Sequence, residues 1–330
     1  TLSFFSPECE WEQSRAFFFP NDDPRELIYH LEQASSRVAR KIFRWVLDNK
    51  IEMVISENAS ALPCHLSMGL GIKKALGVMD IPVISHDHDF HWERGDRYTT
   101  PHKSIQKMID ESFPLRLPNV VHAVINRYSQ QEIKKRFNRE AVVVPNVMDF
   151  SEPYGERDSY NRDMLQELKF EKEAIPLFQI TRIVKRKGIE VAIELVHRLQ
   201  DSRFKLIITG SFADDERKGY YKELLGYIKK HRLGKQVLFG HKRILSERGA
   251  TYHKKKIYSL SDAYANAAAC TYFSTYEGFG NAFVECVLAK KPIFVNNYQP
   301  VYWPDIGSLG FKTVQLEDNN LTDEAVSEIG

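Results

Sequence analysis

The sequence has few cysteines, almost no net charge and no long apolar run. Its four cysteines are scattered without a Cys-x-x-Cys pair, which favours reduced thiols in a cytoplasmic protein over a disulfide framework. The 46 basic and 44 acidic side chains leave a net charge of +2, too little for a nucleic-acid surface. The longest apolar runs, such as residues 119–125 (NVVHAVI), are too short to cross a bilayer. We therefore expect small molecules as partners, and we expect neither nucleic acid nor a transmembrane segment.

The chain is long enough for two domains. Its 330 residues exceed what one hydrophobic core usually serves. Short β-rich apolar runs alternate with longer amphipathic segments in both halves, a pattern typical of parallel sheets covered by helices. We predict an α/β fold with Rossmann-like, doubly wound domains over residues 1–150 and 176–330, joined by a charged connection over 151–175. Two such domains would hold a ligand in a cleft where the carboxyl ends of their strands face each other.

The predicted elements follow this alternation in order. The strands are expected at residues 51–56, 81–85, 119–126, 141–144, 176–181, 204–209, 236–239, 269–273 and 292–295. The helices are expected at about residues 25–50, 66–77, 101–113, 128–137, 188–200, 214–231, 256–267 and 281–290.

The first candidate motif is the glycine-containing loop STYEGFGNAFVE, residues 274–285. Gly278 and Gly280 allow a tight turn and a close approach to a ligand. The amides of Gly280, Asn281 and Ala282 would then open a helix, whose N-terminus favours a phosphate.

Two glutamates, Glu277 and Glu285, flank these glycines. Their carboxylates could accept hydrogen bonds from sugar hydroxyls, so the loop fits a nucleotide sugar with its phosphates between two sugars. The spacing alone fits equally well a helix start with two solvated glutamates, because a glycine pair is a weak signal.

The second motif, ITRIVKRKG at residues 180–188, follows the first strand of the second half. Arg182 is expected at the end of that strand and Lys187 at the start of the next helix. An arginine fork and a lysine point charge suit a diphosphate. We assign Lys185 and Arg186 to a basic surface loop.

The third motif is the histidine-rich segment ISHDHDFHWERGDRY, residues 84–98. His86, His88 and His91 stand near several carboxylates, which is compatible with zinc or iron. The segment lacks an obvious fourth ligand and a separated ligand pair, so we favour contact with a substrate, or proton transfer, over a metal.

Two further residue pairs of this segment have simpler interpretations. Trp92 and Phe90 are expected to pack. Arg94 and Arg97 could hold an anionic acceptor or form salt bridges within the segment.

Taken together, these residues resemble the family-4 retaining glycosyltransferases of the GT-B fold. The pair Glu277-x7-Glu285, followed by an apolar helix, is similar to the signature of that family. Arg182 and Lys187-Gly188 are similar to its diphosphate-binding pair.

Three further segments add to the resemblance, which covers most of residues 50–330. Residues 145–149 (PNVMD) resemble the end of the family's first domain, and residues 239–240 resemble the Phe-x-Gly motif near the donor base. In residues 82–88 (PVISHDH), the family's active-site histidine falls six residues after the proline, which selects His88 over His86.

The resemblance implies a hexosyltransferase that takes glucose or mannose from a UDP- or GDP-hexose, with no tightly bound cofactor and no metal needed for the chemistry. It implies catalytic roles for His88, Arg182, Lys187 and Glu277. The implied donor-binding residues are Gly210, Gly240, Gly278, Phe279, Gly280, Asn281, Ala282 and Glu285. The residues assigned to the acceptor side are Asn58, His86, Asp89 and Arg94.

A narrower resemblance, to the mannosylglucosylglycerate synthase-like subgroup, concerns the acceptor. It rests on residues 57–71, 86–94, 255–264 and 277–306, and it implies a small hydroxylated acceptor such as a glycoside of glycerate.

The chain departs from the family pattern at three places. We expect the family's first strand with its Gly-rich loop, and its last helix, to be missing from this sequence. Lys290 stands where the family usually has a glycine. The alternatives that remain are a GT-B-fold epimerase or phosphorylase, a non-catalytic nucleotide-sugar-binding protein, and a metalloenzyme built on the histidine-rich segment.

Overall fold

The structure is a computed structural model that describes residues 6–20, 23–211 and 219–330. The chain divides into two compact units, Thr1–Pro145 and Asn146–Gly330. Parallel sheets of four and six strands form their centres, so the predicted α/β class is confirmed.

The first unit contains a parallel sheet in the order β1-β2-β3-β4, formed by Val54–Glu57, Val83–Asp87, Val120–Val124 and Ala141–Val143. Its helices are α1 (Pro7–Gln13), α2 (Arg25–Asp48), α3 (Leu66–Leu76), α4 (Lys103–Ser112) and α5 (Arg127–Phe137). A π-helix (Ser14–Phe18) follows α1, and a 3-10 segment (His91–Tyr98) follows β2.

Helical periodicity explains the packing of α2. Its buried residues Leu27, Leu31 and Val38 recur at intervals of about one or two turns, and they form one stripe toward the core. On the sheet, Ile55, Val121 and Val142 lie on one face and are 62%, 57% and 57% exposed. Within the described residues, the expected helical cover of both faces is therefore incomplete.

The second unit contains a parallel sheet in the order β12-β11-β10-β5-β6-β7. These strands are β5 (Ile175–Gln179), β6 (Phe204–Ile208), β7 (Val237–Phe239), β10 (Ala269–Tyr272), β11 (Ile293–Asn296) and β12 (Val314–Leu316). The short strands β8 (Gly249–Ala250) and β9 (Lys256–Ile257) form an antiparallel ribbon. The helices of the second unit are α6 (Met164–Glu167), α7 (Ile189–Leu199), α8 (Tyr220–Lys230), α9 (Leu260–Asn266), α10 (Asn281–Leu288) and α11 (Asp323–Ile329).

The strand order of the second unit has a reversal at its centre. From β5 the chain adds β6 and β7 on one side, and then β10, β11 and β12 on the other. β5 and β10 are hydrogen-bonded neighbours, with Leu177 opposite Ala269. In open parallel sheets, ligands bind outside the carboxyl ends of the strands at such a reversal.

The predicted strands and helices occur in order, and most boundaries move by only a few residues. The predicted helix 256–267 is shorter than expected, because Lys256–Ile257 forms β9 and Ser259 caps a helix that begins at Leu260. Part of the predicted helix 214–231 lies outside the described residues, and its described part begins at Tyr220.

The end of α10 shows how the chain accommodates Lys290. Lys290 has φ of 56°, the left-handed conformation that glycine usually supplies after a helix. Its amide donates to the Val287 carbonyl, and the Lys291 amide donates to the Cys286 carbonyl at 3.1 Å. The lysine therefore completes a Schellman turn despite its side chain.

Two composition-based expectations can be checked in the described residues. All four cysteines lie in the described residues and are free, and Cys9, Cys270 and Cys286 are buried. None of the described helices combines the length and apolar character needed to cross a membrane.

Candidate active site

The loops after β5 and β10 lie at the strand-order reversal. The loop after β5 carries the charged residues of the motif at 180–188, and the loop after β10 carries Glu277 of the motif at 274–285. Lys187 ends a 3-10 turn that follows β5, and Glu277 lies in the loop that follows β10. The Thr275 amide donates to the Arg186 carbonyl at 2.8 Å, which joins the two loops.

The Glu277 carboxylate is the centre of a buried cluster of charges. It is only 7% exposed, and it forms an ion pair with Lys187, which is 8% exposed. Arg186 Nη1 lies 3.1 Å from Glu277 Oε2 and also donates to the Tyr276 carbonyl at 2.8 Å. Arg186, assigned to the surface loop from the sequence, is thus part of the cluster, whereas Lys185 is exposed and pairs with Glu190.

Burial and charge act in opposite directions on this cluster. Burial alone would raise the pKa of Glu277, but Lys187 and Arg186 outweigh it and hold that pKa below its usual value. Burial also lowers the pKa of Lys187, although Glu277 opposes this effect. Because two cations share one carboxylate, the cluster has an excess of positive charge, which favours an anionic ligand.

The helix α10 begins beside this cluster at Gly280. Gly280 has φ of 115°, and a Cβ there would lie 2.3 Å from Tyr298 Oη. That hydroxyl donates to the Phe279 carbonyl at 2.9 Å, so Tyr298 supports the turn. Among the described residues, no side chain caps the helix at Gly280. The amides of its first turn, including those of Asn281 and Ala282, lack partners within the helix.

Glu285 lies in the second turn of α10 and contacts two tyrosines. The Tyr264 hydroxyl is 3.1 Å from Glu285 Oε2, and the Tyr154 hydroxyl is also hydrogen-bonded to Glu285. Burial raises the pKa of Glu285, and the two hydroxyls partly oppose the rise. Tyr154 belongs to the predicted connection, which therefore contributes to the site.

The remaining predicted donor residues lie at the carboxyl ends of the same sheet. Arg182, after β5, is exposed, and its charge acts on Lys187. Gly210 follows β6, where a Cβ would lie 1.9 Å from the Thr181 carbonyl oxygen. Gly240 follows β7, and its amide donates to the Ile208 carbonyl at 2.7 Å.

The two remaining predicted residues of the loop after β10, Gly278 and Phe279, differ in exposure. Phe279 is 9% exposed, and its carbonyl accepts the Tyr298 hydrogen bond, whereas Gly278 is half-buried.

In the first unit, His86 and His88 share one carboxylate at the ends of β1 and β2. Glu57 Oε1 lies 2.5 Å from His88 Nε2, and Glu57 Oε2 lies 3.0 Å from His86 Nδ1. The other nitrogen of His86 is 3.1 Å from the Val144 carbonyl oxygen. Glu57 is the most exposed of the three residues, at 58% for its side chain. The sequence motif contained both histidines but gave no sign of their common partner.

The predicted acceptor-side residues stabilise the same segment. Asn58 Oδ1 accepts a hydrogen bond from the His88 amide at 3.0 Å, with Asn58 at φ of 51°. Asp89, 6% exposed, forms an ion pair with Arg94. Phe90 is fully buried and stacks on Trp92 at 4.6 Å, which confirms that these two residues pack.

The sequence reasoning missed the aromatic supports of the site. Tyr154, Tyr264 and Tyr298 come from three separate segments, and no spacing rule connects them to Glu285 or Gly280. Two of them lie in the stretches 255–264 and 277–306, which carried the narrower resemblance but received no role there.

Comparison with known proteins identifies the family. Residues 161–302 match the family described as Glycosyl transferases group 1. The mannosylglucosylglycerate synthase of Petrotoga mobilis is 32% identical over 286 residues, which are 81% of this chain and 64% of that protein. The enzyme of the same name from Thermotoga maritima is 34% identical over 287 residues, 81% of this chain and 62% of that protein. The chain thus spans less than two thirds of the length of these relatives.

The fold has a counterpart among solved structures. HepE of Anabaena, in complex with UDP and glucose, superposes with a TM-score of 0.61 at 14% identity. The match covers 89% of this chain and 70% of that one. The resemblance inferred from the motifs is therefore confirmed. In residues 161–302, the part of the chain that the family model matches, this protein is a group 1 glycosyltransferase (glycosyltransferase family 4), and its fold is GT-B.

Proposed function

We propose that this chain transfers a hexose, glucose or mannose, from a nucleoside diphosphate sugar to a small hydroxylated acceptor. Retention at the anomeric carbon is what the family implies. The observation that carries the proposal is the buried cluster of Lys187, Arg186 and Glu277 at the strand-order reversal, beside the uncapped start of α10.

The chemical step breaks the bond between the anomeric carbon and the diphosphate oxygen. Negative charge then grows on the leaving diphosphate, while the acceptor oxygen bonds to the anomeric carbon and its proton passes to the leaving diphosphate. Lys187, Arg182 and the first amides of α10 are the groups that would stabilise this charge. Donors fixed before the reaction do so without a reorganisation cost.

Glu277 has a second role besides the hexose contact expected from the sequence. It is paired with Lys187 and Arg186, and it would therefore hold both cations in position for the diphosphate. Loss of its carboxylate would leave the buried Lys187 and the half-buried Arg186 without their common partner, and the two cations would repel each other.

Glu285 would accept hydrogen bonds from the ribose of the donor. Tyr154 and Tyr264 fix its carboxylate, which leaves the remaining oxygen lone pairs for the ligand. In the first unit, we assign His88 a contact with the sugar, with Glu57 orienting its imidazole.

The choice of acceptor rests on the names of the relatives and not on the geometry of the site. Their name describes the synthesis of mannosylglucosylglycerate, so a mannose donor with glucosylglycerate is the first pair to test. This choice agrees with the glycerate-type acceptor implied by the motifs.

A donor screen tests the proposal. The protein is heated with UDP-, GDP- and ADP-linked glucose and mannose, and one nucleotide sugar is expected to raise its melting temperature. A ligand at 100 times its dissociation constant stabilises the folded state by about 2.7 kcal/mol. The preferred donor is then incubated with glucosylglycerate, and the new glycoside is measured by mass spectrometry.

The same assay separates the alternatives. Conversion of the nucleotide sugar without acceptor would indicate an epimerase, and dependence on free phosphate would indicate a phosphorylase. Donor binding without product across acceptor classes would indicate a binding protein. If no nucleotide sugar shifts the melting temperature, the proposed function is wrong.

A further inference from the structure

A buried polar pair lies on the core side of the segment that carries His86 and His88. Asp87, the last residue of β2, is fully buried, and His122 of β3 is 1% exposed. His122 Nδ1 lies 3.0 Å from Asp87 Oδ2, and the Ser85 hydroxyl donates to Asp87 Oδ1 at 2.8 Å. The pair therefore ties the carboxyl end of β2 to β3 through side chains, in addition to the pairing of the two strands.

The alternation of side chains along β2 separates this pair from the open face of the sheet. Successive residues of a strand point to opposite faces. Ser85 and Asp87 are accordingly buried, whereas His86 between them is only partly buried. Asp87 is thus the last core-facing residue of the strand, directly before His88.

The backbone at His88 is held from both neighbouring strands. On the side of β1, the Asn58 amide donates to the His86 carbonyl at 2.8 Å, and Asn58 Oδ1 accepts from the His88 amide at 3.0 Å. On the side of β3, the contact between Asp87 and His122 holds the same three-residue stretch. The position of the His88 backbone therefore depends on hydrogen bonds to two strands.

A buried pair of aspartate and histidine is a costly way to join two strands. Burial raises the pKa of Asp87, and His122 and Ser85 oppose the rise. Apolar side chains of similar volume often stabilise a core at least as well as a buried ion pair. In addition, His122 Nε2 is buried without a hydrogen-bond partner among the described residues. What the pair supplies, and apolar side chains do not, is a directional bond of defined length.

We propose that Asp87 and His122 are positioning residues for His88. They fix the end of β2 so that His88 Nε2 stays beside Glu57 Oε1, which lies 2.5 Å away. Because the carboxylate of Glu57 accepts hydrogen bonds, the proton of the neutral His88 ring is held on Nε2, and Nδ1 remains an acceptor.

This role rests on the proposed function, in which His88 contacts the sugar. A ring that is displaced, or that carries its proton on the other nitrogen, would slow the transfer. The affinity for the donor would stay the same, because the cluster of Lys187, Arg186 and Glu277 belongs to the second unit.

The nuclear magnetic resonance signals of the His88 ring test the proposal without an activity assay. The protein is isotopically labelled in its histidine rings, and His88 is assigned by the signals that His88→Asn loses. In His122→Phe, which cannot donate to Asp87, the nitrogen signals of a neutral His88 are expected to move from those of one tautomer to those of a mixture. In His122→Asn, whose amide can replace Nδ1 as the donor, they are expected to return toward those of the unmodified protein.

The matched control is Asn119→Ala, at the amino end of β3. The Asn119 side chain donates to the carbonyls of Met79 and Ile81 at 3.2 and 2.8 Å. Its replacement removes hydrogen bonds at the opposite end of the strand from His122. The melting temperature of this variant is expected to fall, while the ring signals of His88 stay unchanged.

The kinetics of hexose transfer give a second readout. In His122→Phe, kcat is expected to fall by about tenfold or more, because a misplacement of about 1 Å can cost about a hundredfold. Donor affinity, measured by titration, is expected to stay unchanged. In a protein that already carries His88→Asn, the same substitution is expected to have no further effect on kcat, since residues that act as a unit are not additive.

The two readouts separate this proposal from the proposed function. If the unmodified protein transfers no hexose, the proposed function is wrong, and the ring signals alone decide on the role of the pair. If His122→Phe does not fold, Asp87→Asn, which keeps the side-chain volume, replaces it in both measurements. Unchanged ring signals of His88 in the folded variant would overturn the proposal. An equal loss of kcat with and without His88 would also overturn it.

Discussion

At the residue scale, the geometry of Gly280 decides whether α10 can begin where it does. Its φ of 115° is rarely adopted by other residues, and Tyr298 Oη occupies the space that a Cβ would need. The glycine and the tyrosine together fix the turn that precedes the first amides of α10.

Gly280→Ala is expected to destabilise the protein, because the backbone strain alone is worth about 1–3 kcal/mol and Tyr298 must also move. The control is Gly226→Ala in the middle of α8, where a Cβ meets nothing within 4 Å. That change should stabilise the helix by about 0.5–1 kcal/mol. Calorimetric melting temperatures should shift in opposite directions; equal shifts would contradict the assigned role of Gly280.

Sequence reasoning at this scale found the charges but not their partners. Lys187 and Glu277 were placed by the motif spacing, because each follows a recognisable strand. Arg186 was assigned to the surface because its neighbours in sequence are basic and polar. Its partners lie in the loop after β10, which only the fold brings next to it. The hydroxyls around Glu285 come from distant positions, and no local rule predicts them.

At the element scale, α9 shows how one carboxylate organises a helix start. Asp262 is buried and accepts from the Ser259 amide at 2.8 Å and from Asn161 Nδ2 at 2.9 Å. Arg248 approaches it with Nη2 at 2.5 Å and Nε at 3.0 Å. The ribbon, the connection and α9 therefore meet at one ion pair.

This carboxylate predicts a pH dependence. Burial would raise the pKa of Asp262, but Arg248 and the hydrogen bonds hold it below the usual 3.8. Because the folded-state pKa is the lower one, the stabilisation is present above pH about 4 and is lost as the pH falls through the folded-state value. Asp262→Asn should therefore lower the free energy of unfolding by about 3 kcal/mol near neutral pH. The difference in this free energy between the variant and the unmodified protein should become smaller in acid.

The control for this prediction is Asp23→Asn, which breaks the exposed pair with Arg25. Exposed pairs contribute little, so its melting temperature should stay close to that of the unmodified protein. Melting curves at pH 7 and at a pH well below the unperturbed value of 3.8 test this prediction. A loss for Asp262→Asn that persists undiminished in acid would contradict the account.

Elements with strong periodicity were predictable, and short polar ones were not. The buried residues of α2 recur with helical periodicity, and β5 and β6 are short continuous apolar runs. Each pattern predicts one type of element. β12 has only three residues in a polar stretch, and the sequence offered no reason to predict it.

At the scale of the whole molecule, the strand order of the second unit places the candidate site. Alternating strands and helices predicted a doubly wound sheet, but not which strands would be neighbours. The pairing of β5 with β10 brings two motifs about 90 residues apart to one sheet edge. That juxtaposition combines two weak sequence signals into one cluster of charges with an excess of cations.

The central claim is that Lys187 binds the donor diphosphate, and isothermal titration with the preferred nucleotide sugar tests it most directly. The titration compares the unmodified protein with Lys187→Ala and Lys185→Ala, two lysines of the same turn, of which only Lys187 is buried beside Glu277. We predict an affinity at least about tenfold weaker for Lys187→Ala, since charge-assisted hydrogen bonds contribute about 1.5–3 kcal/mol, and an unchanged affinity for Lys185→Ala. Equal affinity in a folded Lys187→Ala protein would contradict the account.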